Sequence, residues 1–354
     1  MRAWLDKVAS ATKNVPLRRD ARLTSLVTAS EGYVVAGRVL GEKTTYNQLE
    51  DLYGRMVTLH HGDVIAGVLG HRNALHGYCG VVPEKIEVGD KLQILNLGGV
   101  IGRCTSENPD VGKPFDVEIL GGVLVFPKFE DREGVPAHIR MNAIPVDKRP
   151  LPSVPVVYIA GTCMNSGKTT AACRLIRELA KQGAAVGGCK LTGVSLRRDV
   201  LQMLDYGARW SASFTDAGVV STTDSDAVPV TRALFAHLAH AGAEVIVAEL
   251  GDGVHGEYGV AEILADRELM SLAAGIVVCA NDPVGAWGAQ RILNDQFDLA
   301  IDLISGPTTD NAVGIRHVER RLGLAAINAR THGREFGEFI AKKVAERRTA
   351  GAPA

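Results

Sequence analysis

Gly161-Thr162-Cys163-Met164-Asn165-Ser166-Gly167-Lys168-Thr169-Thr170 holds the residue types that handle phosphate, in an order that can do so. An apolar run, Pro155 to Ala160, leads into it, and Ala171-Ala172-Cys173-Arg174-Leu175-Ile176-Arg177-Glu178-Leu179 continues it with helical periodicity. Strand, glycine-bearing loop and helix start are the context that makes such a loop meaningful. Backbone N–H groups and the positive end of the helix would cradle phosphate oxygens. The Lys168 ammonium would reach the β- and γ-phosphates, and the Thr169 hydroxyl would ligate magnesium. Gly161, Thr162, Asn165, Ser166, Gly167 and Thr170 complete the nucleotide-binding set. Five residues separate Gly161 from Gly167, one more than usual, so Thr162 stands one ordinary loop length before Gly167.

Further candidates lie where later strands are expected to end. Lys190 closes an apolar run and can hold a γ-phosphate or an anionic substrate; Arg197 and Arg198 can do likewise, and a solvated loop with a snorkelling Lys190 is the bland alternative. Glu249, after Val245-Ile246-Val247-Ala248 and before a glycine-rich turn, has the form of a magnesium or water-positioning carboxylate, with Asp252 as second choice. Asp205 or Asp199 can add a magnesium ligand, though either can equally cap a helix. Asn281 and Pro307 follow the fourth and fifth strands expected in order, where such folds hold the base. The absence of an Asn-Lys-x-Asp signature favours ATP over GTP. His255 and Tyr258 can face the same cleft. His60, His61, His71 and His76 lack the spacing of a metal cluster, and Arg72 sits among them in a basic loop that suits a nucleotide or a carboxylate substrate.

Alternating strand and helix patterns from residue 155 onward predict an α/β fold, a mostly parallel sheet with helices on both faces and its ligand at the carboxyl ends of the strands. Strands are expected near 155–160, 185–190, 244–249, 274–280, 301–305 and 325–328, and a last helix near 334–347. Before this, short apolar runs punctuated by glycine predict a small β-barrel-like domain. The expected organisation is a β-rich accessory domain over 1–127 opening with a short helix, a Pro-rich linker over 128–154, and a nucleotide-binding domain over 155–354.

At 354 residues the chain is long enough for two domains, and 46% apolar with 22% charged residues is ordinary for a globular protein. A formal net charge of −1 gives no electrostatic case for nucleic acid or an anionic membrane. No apolar run approaches the roughly 18–20 residues of a membrane span. Six scattered cysteines without a C-x-x-C pair suggest buried thiols in a reducing compartment, and the basic start lacks an apolar signal core, so the chain is read as cytoplasmic.

Gly161-Thr162 with Gly167-Lys168-Thr169 resembles the phosphate loop of dethiobiotin synthetase and its relatives in the SIMIBI class of P-loop NTPases. Lys190, 22 positions after Lys168, stands where that family also carries a lysine, and Glu249 resembles its magnesium glutamate. The stretch Glu249 to Tyr258 also looks like a related P-loop family with a separate N-terminal domain. Cys163 replaces the aspartate, and Leu191 the proline, of the synthetase pattern, so biotin chemistry is not implied. The resemblance implies ATP and Mg2+ as cofactors, Lys168 and Lys190 on phosphate or substrate, Thr169 and Glu249 on magnesium, and a homodimer. Two functions follow: an ATP-dependent kinase- or ligase-like enzyme activating a small acidic substrate, or a nucleotide-switched chaperone or assembly NTPase.

Overall fold

The computed structural model describes residues 1–128, 130–146, 150–223 and 227–350, without the side chains of 348–350. The chain divides into two compact units, one of Met1–Ile144 with Val194–Arg198 and Phe214–Thr223, the other of Pro145–Gly193, Asp199–Ser213 and Asp224–Ala354.

In the first unit, strand Asp116–Val125 pairs with Val34–Leu40, which pairs with Val64–Leu69, then Val100–Glu107, then Lys91–Ile94, which returns to Asp116–Val125. The hydrogen-bonded circuit closes, so this is a five-stranded barrel, and closure leaves no free sheet edge along the ring. Alternate residues fill its inside: Val35 and Val39, Ile65 and Leu69, Leu92 and Ile94, Val117 and Ile119 belong to one buried cluster. Neighbours of opposite parity, Val34, Ala36, Ala66 and Val68, join a second cluster with Leu5, Val15, Leu23 and Val220.

The expected N-terminal helix is absent. Residues 1–24 form strands Arg2–Trp4, Lys7–Val8 and Asp20–Thr24 with a single 3-10 turn at Ser10–Thr12, because pairing of Arg2–Trp4 with Asp20–Thr24, of Asp20–Thr24 with Asp116–Val125 and of Lys7–Val8 with Val64–Leu69 satisfies their backbone groups. The expected 128–154 linker is divided: Val135–Pro136 pairs with Leu124–Val125, and Ala137 and Ile139 are buried. Residues 129 and 147–149 of that stretch lie outside the described residues.

Strands of the second unit are β1 Val156–Gly161, β2 Val186–Lys190, β3 Trp210–Ser213, β4 Val245–Glu249, β5 Ala273–Cys279 and β6 Leu303–Ser305. All pair in parallel, in the order β3-β2-β4-β1-β5-β6. Helices α1 Lys168–Lys181, α2 Arg198–Asp205, α3 Ala227–Ala241, α4 Val260–Ala265, α5 Arg267–Ser271, α6 Pro283–Phe297, α7 Ala312–His317 and α8 Gly333–Ala350 make the connections. Buried on both faces, β1 and β4 are continuously apolar up to their last residue. The edge strand β3 was not expected, and the strand expected at 325–328 reduces to one parallel bridge, Ile304 to Ala326.

Candidate P-loop nucleotide site

Glu249, the last residue of β4, is 2% exposed, and its Oε1 accepts from Thr169 Oγ1 at 3.1 Å. Its Oε2 is buried with no hydrogen-bond partner. The two residues meet because β1 and β4 are adjacent and parallel, with Ile159 opposite Glu249, so that α1 begins above the end of β4. Burial raises the Glu249 pKa; Lys190, Lys168 and the Thr169 hydroxyl pull it down without cancelling the rise.

The loop ahead of Thr169 is tightly formed. Asn165 has φ 60 and Gly167, the α1 N-cap, has φ 94 and no side chain to cap the helix, which leaves first-turn N–H groups for a ligand. A Cβ on Gly161 would lie 2.4 Å from Ser166 Oγ, so only glycine lets the loop fold back on its own strand. Lys168 is folded over the loop, its Nζ donating to the Cys163 carbonyl at 2.8 Å and lying 3.5 Å from Ser166 Oγ. Burial lowers its pKa, against the pull of Glu249 and Asp252. Thr162 and Cys163 are half-buried; Asn165 and Thr170 are exposed.

Lys190, ending β2, forms an ion pair with Asp199 and lies 3.7 Å from Glu249 Oε1. Of the two acids considered as extra ligands, the structure therefore brings Asp199 to the site. Asp205, the last residue of α2, is exposed and meets neither Thr169 nor Glu249 through any hydrogen bond or ion pair. Asn281 touches the loop, its Nδ2 donating to Cys163 Sγ at 3.0 Å and its N–H to Thr162 Oγ1 at 3.4 Å. Pro307 opens a 3-10 turn behind the loop, after Gly306, where a Cβ would lie 2.5 Å from the Ser166 carbonyl. Tyr258 is buried and His255 exposed. The backbone N–H groups of Arg197 and Arg198 donate to the buried Glu50 carboxylate at 2.6 and 2.7 Å, and the Arg197 guanidinium donates to the Leu52 carbonyl.

Sequence reasoning passed over Gly253, at which a Cβ would lie 2.5 Å from the Thr162 carbonyl. With Val254 N–H donating to the Gly161 carbonyl at 2.9 Å, the turn after Glu249 braces the phosphate loop. The glycine density there was the available signal. Nothing local pointed to Glu50, 147 positions from Arg197. Three cysteines, 173, 189 and 279, are buried, and burial pushes the Cys173 and Cys279 thiols up to about 12.

A parallel sheet in this order, with a Gly-Lys-Thr loop between β1 and α1 and a carboxylate ending the neighbouring strand, is the fold of a P-loop NTPase. No family model and no curated protein matches the chain. Among solved structures it is similar to the 54 kDa signal recognition particle protein of Aeropyrum pernix K1 in complex with GDP, at 18% identity and TM-score 0.37, over 57% of this chain and 49% of that one. It is also similar to the cell division protein FtsY of Thermotoga maritima, at 16% identity and TM-score 0.38, over 57% of this chain and 73% of that one. Hydrogenase maturation factor HypB of Archaeoglobus fulgidus gives 14% identity and TM-score 0.35, over 54% and 91%. The chain thus spans about half the length of the first of these. No helix among the described residues is long and apolar enough to cross a membrane, and no group of three or more metal-ligating side chains stands among them.

Proposed function

We propose that this chain is a magnesium-dependent NTPase that uses the bound nucleotide as a switch, in the manner of the SIMIBI class. The observation that carries the nucleotide reading is Glu249, with one oxygen on Thr169 and the other buried without a partner. A buried carboxylate oxygen left unsatisfied is costly, and a hydroxyl beside it gives the hard oxygen donors magnesium takes. Thr169 and Glu249 would hold the ion, which supplies charge neutralisation on the phosphates. Lys168 would leave the Cys163 carbonyl for the β- and γ-phosphates, and Asn281 and Pro307 would border the base.

Two features support a switch. The chain leaves the second unit just after β2 and again just after β3, a connectivity through which a nucleotide-dependent change at either strand end would pass along the backbone. Val284 and Trp287, one turn apart on α6, are 74% and 51% exposed, close in sequence to Asn281. A tryptophan so placed suits a partner surface, which a second copy of this chain would also fit.

A second reading, phosphoryl transfer from ATP to a small acidic substrate, draws on Lys190. Its ammonium, beside Glu249, could hold a transferring phosphate or an acceptor carboxylate, as in the dethiobiotin synthetase resemblance.

Binding and hydrolysis of magnesium ATP and GTP by wild type and Lys168→Ala separate these readings. Steady hydrolysis without any acceptor, lost at least about tenfold in the variant, supports the switch. Tight binding with negligible hydrolysis, released by a small carboxylate, supports transfer. Failure of wild type to bind either nucleotide overturns both.

A further inference from the structure

Two cations of the β unit, Arg72 and Lys43, lie in one neighbourhood, linked through a pair of tyrosines. Arg72 is 5% exposed; its Nη1 donates to Tyr46 Oη at 3.1 Å and to the Leu95 carbonyl, and its Nε is buried with no partner. Gly77 leaves room for the guanidinium, since a Cβ there would lie 2.5 Å from Nη2. Lys43, half-buried, donates to Tyr78 Oη at 3.1 Å and to the carbonyls of Val111 and Lys113. Its ammonium lies 5.7 Å from the Tyr78 ring centroid and 5.9 Å from that of Phe115. Tyr46 and Tyr78 meet edge to face at 5.5 Å, so a tyrosine pair bridges the two cations.

Among the described residues neither cation forms an ion pair with an acid. Burial lowers the Lys43 pKa, and Glu107, exposed on its strand, raises it from beyond pairing distance. Grouping two like charges while removing them from water is unfavourable unless an anion compensates. A purely structural tie to carbonyl oxygens needs hydrogen-bond donors but not two positive charges. Tyr46 has φ 52, a conformation that disfavours a bulky side chain, in the residue whose hydroxyl meets Arg72. Because that hydroxyl accepts from Arg72, its own proton is available to a ligand.

We propose that Lys43, Arg72 and Tyr46 form a binding site for a small oxyanion, a carboxylate or a phosphate, in the β unit and separate from the phosphate loop. Lys43 supplies a point charge whose ammonium would exchange one of its present carbonyl partners for the anion, Arg72 a planar donor edge and Tyr46 a neutral donor, which suits an oxyanion of two or three oxygens. The inference does not depend on the nucleotide reading.

The test is calorimetric titration of full-length Lys168→Ala with inorganic phosphate and, separately, with succinate at fixed ionic strength, so that the phosphate loop is disabled. One anion is expected to bind with one-to-one stoichiometry, and which one does so distinguishes phosphate from carboxylate. Adding Lys43→Met is expected to weaken binding about tenfold and Tyr46→Phe about threefold, the loss of one charged and one neutral hydrogen bond. Tyr46 packs against a buried cluster and Lys43 ties two carbonyls, so thermal melts of each variant confirm folding before its isotherm is read. No binding of either anion, an unchanged isotherm in Lys43→Met, or binding seen in wild type but lost in Lys168→Ala would overturn the proposal.

Discussion

Glu249 combines two demands that pull against each other. In the proposed function its carboxylate receives a cation, yet burial at the end of β4 holds its pKa above the ordinary value despite nearby Lys190 and Lys168. An acid raised in this way binds its proton more tightly folded than unfolded. Stability therefore falls as pH rises above the unfolded-state value, the reverse of a salt-bridged acid. Glu249→Gln, which cannot ionise, is expected to raise the unfolding free energy at pH 7 by on the order of 1 kcal/mol, read as a higher urea midpoint, with the gain shrinking toward pH 4. The same variant should lose magnesium-dependent nucleotide binding. Urea melts at the two pH values, with nucleotide titrations, check both; a lower midpoint at pH 7 would show that the lysines dominate. Residues of this kind were legible because their chemistry is local: Gly161 to Thr170 follow one another, and Glu249 ends an unbroken apolar run. Asp205 and Asp199 were harder to tell apart, since sequence does not show which side of a short helix faces Lys190.

At the scale of elements, caps set where helices begin. Asp266 is the N-cap of α5, accepting from Leu269 N–H at 2.9 Å, and its carboxylate also receives Arg232 at 2.8 Å. Burial alone would raise its pKa, but the Leu269 N–H and Arg232 together hold it below the ordinary value. The stabilisation is present above the unfolded-state pKa and is lost as pH falls through the folded one. Asp266→Ala is expected to cost about 1–2 kcal/mol at pH 7, and the difference from wild type should shrink as pH falls below the unfolded-state value and through the lower folded-state one. Thermal melts across that range read it directly. The long parallel strands and the last helix were visible as apolar runs or as helical periodicity. Trp210–Ser213 was not, because a four-residue edge strand with two serines carries almost no pattern. Its place comes from pairing with Gly187–Lys190, which only the fold supplies.

For the whole molecule, the expected cut near residue 150 does not coincide with the division of packing. Val194–Arg198 and Phe214–Thr223 belong to the β unit, where Asn96 Nδ2 donates to the Ser195 carbonyl at 2.8 Å and Asn14 Nδ2 to that of Thr215 at 2.7 Å. Phe214 and Val220 are each 1% exposed. A fragment of residues 150–354 would leave them uncovered, at about 1.5–3 kcal/mol for each side chain. It is expected to melt well below the full chain or to aggregate, as thermal scans with light scattering would show; an unchanged midpoint would mean that these segments repack within the second unit. The closed barrel was readable in outline from short strands and glycines, whereas pairings across about 200 positions have no local trace. The same pairings set an order of events during synthesis. Although residues 1–144 leave the ribosome first, the β unit cannot complete its packing until Thr223 has emerged. By then β1, the phosphate loop, β2 and β3 have been made and must wait for β4 to fill the gap between β1 and β2. The nascent chain thus carries two unfinished units at once, which exposes unpaired strands for longer and makes its yield sensitive to translation speed and to chaperones.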